Sequence, residues 1–188
     1  MSTWILLLLV ALYFLYTRSA QGSTTSQLIG TTCPELTGLK IVKGQPVNVR
    51  QGRVVVEFWA TWCPPCRTSI PHLTQLAKKY GISMIGVTNE TDEAAIKAFV
   101  DGQRDKMDYT VAMDRTLAVS NGLMKASGLR GIPCAFIIEH GVIVWHGYVM
   151  QPEFEERLAV PLGAPPQEKT DTTAPPSGPY CDDKACYM

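Results

Sequence analysis

The stretch Val54-Val55-Val56-Glu57-Phe58-Trp59-Ala60-Thr61-Trp62-Cys63-Pro64-Pro65-Cys66 sets the reading of everything around it. It begins as an apolar run, rich in valine and aromatics and interrupted by one glutamate, with the length and composition of a buried strand. Two prolines follow the first cysteine, where a helix tolerates them because its first amides have no partner within the helix. A strand feeding such a helix puts Cys63 at the helix N-terminus, where free N–H groups and the helix dipole stabilise a thiolate. Cys66 stands three positions on, one helical turn away, near enough to bond to it. A dithiol that opens and closes in that place reads as a redox centre.

On either side the chain alternates strand-like and helix-like segments. A strand is expected over 53–60 and a helix over 64–80, with Leu73, Leu76, Ala77 and Tyr80 on one face and Pro71 as a kink. Residues 82–88 form a second apolar strand, and 91–99 a helix opened by Thr91 or Asp92. A short strand over 109–113 and a helix over 115–125 come next. Residues 134–139 and 142–148 are strands joined by the tight turn Glu139-His140-Gly141, hence a hairpin, and a last helix covers 152–158. The order β-α-β-α-β-α-β-β-α describes an α/β domain, one mixed sheet covered by helices.

With 188 residues, 46% of them hydrophobic, the chain can bury one substantial core. Lys plus Arg and Asp plus Glu both number 17, without a basic block, which argues against nucleic acid as a partner. The ends differ from the middle. Residues 4–16 are an unbroken apolar run, shorter than the roughly 20 residues that span a bilayer comfortably. Ala20 and Gly22 follow at positions suited to cleavage, but no basic residue precedes the run and Arg18 follows it. Residues 1–22 therefore read as either a signal peptide or a membrane anchor. Both send the domain to a membrane or beyond it, on a side left open. Residues 163–188 carry Pro165-Pro166, Pro175-Pro176 and Pro179 among polar residues and read as a disordered tail ending in Cys181 and Cys186. Ala185 holds the place a prenylated cysteine would need. A local disulfide between the two tail cysteines and two thiols without a defined role stay open as readings.

These stations together resemble the thioredoxin superfamily, more narrowly its TlpA/redoxin-like branch. The resemblance is carried by Glu57 through Arg67 around the cysteine pair and by Pro71 beyond it. Arg130-Gly131-Ile132-Pro133, Phe136-Ile137-Ile138 with Gly141, and the lead-in from Gly30 to Leu39 extend it. It implies a thioredoxin fold, a central mixed β-sheet flanked by helices, with a redoxin-like extra β-α insertion around 91–113. The domain is placed at 23–162, its core at about 28–160. The implied activity is thiol-disulfide exchange with protein thiols and disulfides and with an upstream redox partner. No cofactor beyond the Cys63–Cys66 disulfide is implied. Cys63 attacks and Cys66 resolves. Glu57 stands where the superfamily usually carries a buried aspartate and accepts the Cys66 proton. Pro133 is cis and brings the Ile132 backbone beside Cys63 to pair with extended substrate. Trp62 covers the sulfurs, and Pro64 and Pro65 remove backbone donors and so shift the reduction potential.

Two other uses of the same cysteines compete. A copper or zinc carrier would need further ligands, with Cys33, Cys134 and His72 the nearest candidates, none at recognisable spacing; no metal site is assigned. A thiol peroxidase would need threonine three residues before its cysteine, and Ala60 holds that place. Cys134 and Cys33 read first as small buried residues and second as auxiliary thiols. Asn89-Glu90-Thr91 matches a glycosylation acceptor.

Overall fold

The computed structural model of the chain describes residues 28–163, 180–181 and 186–187. The expected signal peptide or anchor at 1–22 lies outside them, as does most of the tail.

Six strands form one mixed sheet: β1 (Lys40–Lys43), β2 (Arg53–Phe58), β3 (Ser83–Thr88), β4 (Thr110–Met113), β6 (Cys134–Glu139) and β7 (Val142–Tyr148). Their order is β1-β4-β3-β2-β6-β7. The centre is parallel, β2 against β3 and β3 against β4, and both margins are antiparallel. Central strands read as continuous apolar runs because both faces are covered. Val54, Val55, Val56, Ile85, Phe136 and Ile137 are all buried. The hairpin β6–β7 turns through His140 (φ 49°) and Gly141 (φ 86°), the pair of left-handed residues that a two-residue loop of strand-matching twist requires.

Four helices flank the sheet: α1 (Pro64–Tyr80), α2 (Glu93–Gln103), α3 (Ala118–Ser120) and α4 (Pro152–Ala159). α1 starts with its two prolines, continues past Pro71 to Tyr80 and stops at the left-handed Gly81. Asp92 caps α2 by accepting from the Ala95 N–H at 3.0 Å. The helix expected over 115–125 is shorter and irregular. Asp114 Oδ2 accepts from the Ser120 N–H at 2.7 Å and from its hydroxyl at 2.8 Å, and Leu117 is left-handed (φ 58°). That local capping holds 115–117 out of the helix, and Asn121–Lys125 follows α3 as a π-helical turn.

Sequence pattern does not reveal β1, a four-residue margin strand with a lysine at each end, nor β5 (Gly131–Ile132), which is two residues long. Within the segment expected to be an unordered tail, Tyr180–Cys181 and Cys186–Tyr187 form strands β8 and β9. They make a second, small sheet with β5, in the order β5-β9-β8.

Candidate active site

The site lies where β2 ends and α1 begins. Cys63 is the N-cap of α1, in extended conformation, and is bonded to Cys66. Pro64 and Pro65 occupy the first two helical positions and have no N–H. The first amide the helix can offer is therefore that of Cys66, and it donates to Cys63 Sγ at 3.2 Å. Once the disulfide opens, that donor and the helix dipole favour a thiolate on Cys63. The opposing influence is the carbonyl oxygen of Ile132, 3.8 Å from Cys63 Sγ. The Ile132–Pro133 peptide bond is cis. Cys63 and Cys66 are fully buried, while Trp62 beside them is half exposed.

Glu57 sits on β2, paired with Gly86 of β3 on one side and Ala135 of β6 on the other. Its side chain is entirely buried. Burial pushes the carboxyl up to about 8, and the Tyr109 hydroxyl, 3.5 Å from Oε2, holds it slightly back. Oε1 makes no hydrogen bond among the described residues. Room for this carboxylate comes from Gly86. A Cβ there would stand 3.0 Å from Glu57 Oε2, 3.0 Å from Trp59 Nε1 and 3.1 Å from the Tyr109 ring. Cys134, immediately after Pro133, faces Phe58 across β2 and β6. Burial raises its thiol far out of the titrating range, and the neighbouring Glu57 charge pushes the same way. Cys33 is likewise buried, its thiol raised to about 11 by burial. Both are inert as nucleophiles in this state.

Glu90 and Arg67 also hold the site, and the sequence does not single them out. Thr61 donates to Glu90 twice, from N–H to Oε2 at 2.7 Å and from its hydroxyl to Oε1 at 2.6 Å, and the Thr88 hydroxyl donates to Oε2 at 3.0 Å. Arg67 donates to the Thr61 carbonyl from Nε at 2.9 Å and Nη2 at 2.6 Å, and its guanidinium lies 5.6 Å over the Phe99 ring. Phe99 in turn packs on Trp59 at 5.3 Å. The loop carrying Trp62 is thus clamped by β3 from one side and α1 from the other. The available signal was topological: β2 and β3 are parallel neighbours, so the residues just past Phe58 and Thr88 must meet.

The structure brings Cys63, Cys66 and the Ile132–Pro133 peptide together, and it buries Glu57 within β2 beside Tyr109. Among the described residues, no three of His, Cys, Asp and Glu gather to hold a metal ion. Likewise, no helix there is long and apolar enough to cross a membrane.

Comparison with known proteins agrees with this geometry. Over 113 residues the chain is 33% identical to thiol-disulfide oxidoreductase ResA of Halalkalibacterium halodurans, an alignment covering 56% of this chain and 61% of that protein. It is 30% identical to ResA of Geobacillus kaustophilus over 146 residues, 74% of this chain and 80% of the other. Among solved structures, a thiol:disulfide interchange protein of the thioredoxin family from Chlorobium tepidum superposes with a TM-score of 0.55 at 26% identity, over 69% of this chain and 93% of that one. The fold is the thioredoxin fold. The Redoxin family model matches residues 28–160, the domain that holds the cysteine pair, its helix and the Gly-Ile-Pro loop; the chain belongs to the Redoxin family.

Proposed function

We propose that this protein is a thiol-disulfide oxidoreductase that exchanges its Cys63–Cys66 pair with disulfides and dithiols of other polypeptides. One observation carries the reading. The two cysteines are joined at the N-cap of α1, with the only early amide donor of that helix aimed at Cys63 Sγ. That asymmetry supports one division of roles. Cys63 is the thiolate that attacks; Cys66, one turn inside the helix, is the thiol that releases the product.

In the reducing direction, Cys63 attacks a substrate sulfur, forms a mixed disulfide and expels the other substrate sulfur as a thiolate. Cys66 then attacks Cys63 Sγ, restores the internal disulfide and frees the second substrate thiol. Glu57 takes the Cys66 proton. A carboxyl held at about 8 is matched to proton exchange near neutral pH. Ile132 offers its main chain to extended substrate, Pro133 fixes that approach, and the exposed Trp62 forms the rim of the entrance. The electrons stay on sulfur throughout, so the pair serves as its own cofactor. The apolar run at 4–16 supports a site of action at or beyond a membrane, with the upstream redox partner on the same side.

The test is a trap. Cys66→Ser removes the releasing thiol, so substrate polypeptides accumulate as mixed disulfides on Cys63 and appear as reducible adducts on non-reducing gels. Cys63→Ser abolishes them. A Cys66→Ser protein that collects no adduct from a pool of disulfide-bonded proteins overturns the proposal.

A further inference from the structure

The sequence ends Tyr180-Cys181-Asp182-Asp183-Lys184-Ala185-Cys186-Tyr187-Met188. β8 and β9 pair antiparallel with Cys181 directly opposite Cys186. β9 also pairs antiparallel with β5, which sets Cys186 opposite Ile132 and Tyr187 opposite Gly131. Ile132 is the residue whose carbonyl oxygen lies 3.8 Å from Cys63 Sγ. Opposed residues of antiparallel strands have Cα atoms about 4.5–5.5 Å apart, inside the roughly 4.4–6.8 Å that a disulfide bridges. The register therefore suits a bond between Cys181 and Cys186, and it stations Cys186 across one backbone from Cys63.

β5 has a single partner among the described strands, and that partner is β9. Pairing along this edge is how an extended polypeptide would bring a disulfide to Cys63. The chain's own end already takes the place of such a polypeptide, and it carries two cysteines there. We infer that Cys181 and Cys186 form a second redox pair, an internal exchange partner of Cys63 and Cys66 docked along Gly131–Ile132. The inference rests on the reading of Cys63 as the nucleophile.

With the tail pair oxidised and the helix pair reduced, the Cys63 thiolate attacks Cys186 Sγ. The Cys63–Cys186 bond forms, the Cys181–Cys186 bond breaks, and Cys181 leaves as a thiolate that takes up a proton. The Cys66 thiolate then attacks Cys63 Sγ, the Cys63–Cys66 bond forms, and Cys186 leaves and is protonated in turn. Two electrons pass from one pair to the other, and the protons the helix thiols shed on ionising, held by Glu57 or the solvent, balance those the tail thiolates take up, with no further reactant. Run backwards, the reduced tail pair opens the Cys63–Cys66 disulfide, the form that pair takes here.

The experiment uses the full chain carrying Cys66→Ser and Cys181→Ser, which keeps one attacking thiol in each pair and removes the thiol that would release it. The reduced protein is treated with a slight excess of glutathione disulfide, quenched in acid, alkylated and mapped by peptide mass spectrometry. A Cys63–Cys186 bond within one chain is expected in most molecules. In the companion variant carrying Cys66→Ser and Cys186→Ser, no comparable Cys63–Cys181 bond is expected, because the register places Cys186 and not Cys181 opposite Ile132. Equal linkage through Cys181 in that companion, or linkage only between two chains, overturns the inference. Recovery of Cys63 as its glutathione adduct with Cys186 unlinked also overturns it, while leaving Cys63 an active nucleophile. Recovery of Cys63 as a free thiol overturns both this inference and the function on which it rests.

Discussion

In the role proposed for it, Glu57 would serve chemistry at the expense of stability. A carboxylate interior to a sheet costs free energy unless it is paired, and here one oxygen has only a long contact with Tyr109 and the other has none among the described residues. Burial answers by raising the carboxyl from 4.5 to about 8. A folded value above the unfolded one favours the protonated form in the native state. The associated stability is present in full below pH about 4.5 and is lost as pH climbs through about 8. Glu57→Gln should therefore flatten the dependence of melting temperature on pH in that window and leave the variant the more stable protein at pH 9. It should also slow release of the mixed disulfide by on the order of a hundredfold, the usual worth of a positioned acid or base. Melting curves from pH 4 to pH 9 and single-turnover kinetics read the two effects separately. A variant with the wild-type pH profile and rate would remove Glu57 from the mechanism.

The strands and helices around the site differ in how plainly the sequence announces them, and the reason is physical. β2, β3, β6, β7 and α1 are long or strongly apolar, and the short, charged α4 is marked by its opening proline; each was legible within a residue or two. The residues at 115–125 carry a helical pattern, yet Asp114 binds Ser120 and holds the first turn away, a competition no periodicity encodes. β5 and β9 are two residues each, below the length at which alternation means anything. The reactive pair could be read directly, since the chemistry of Cys-Pro-Pro-Cys after a strand is local. Glu90 could not, because its purpose arises only when β3 is laid beside β2. Glu90→Ala leaves the Thr61 N–H, a partly buried donor, without its acceptor, which should cost about 1–3 kcal/mol. Turnover should fall more than binding, since the loop beside Cys63 loosens while the Ile132 edge is untouched. Glu90→Gln, which still offers one acceptor oxygen, should recover part of the loss. Thermal melts and the kcat-against-KM split of the two variants test this, and a pure stability loss with unchanged turnover would make Glu90 a scaffold residue only.

The two ends of the sheet are made differently, and the contrast bears on how substrates enter. At the end remote from the cysteines, Arg53 donates to Glu139 at 2.6 Å and to the carbonyls of Leu158 and Val160 at 2.7 Å, with Arg157 also beside Glu139 at 3.7 Å. That buried cluster ties the last helix to the strands through Arg53 and Glu139, while the Arg157 guanidinium makes only the longer ionic approach to Glu139 and no hydrogen bond among the described residues. At the cysteine end the sulfurs are fully covered, and the backbone edge beside them is occupied by the chain's own β9. A foreign polypeptide can pair with Gly131–Ile132 only when β9 has left, so the apparent affinity for substrate is reduced by the fraction of molecules whose edge is free. Removing residues 180–188 should therefore lower the KM for a peptide disulfide several-fold. It should leave kcat as it was, because neither Cys63, Cys66 nor Glu57 is touched, and lower the melting temperature by only a few degrees, since a several-fold docking equilibrium stabilises the fold by about 1 kcal/mol. Steady-state reduction of a disulfide-bonded peptide by the full and shortened chains measures the effect. A KM that rises on shortening would mean that the tail recruits substrate instead of competing with it, and β9 would then have to be read as part of the entrance.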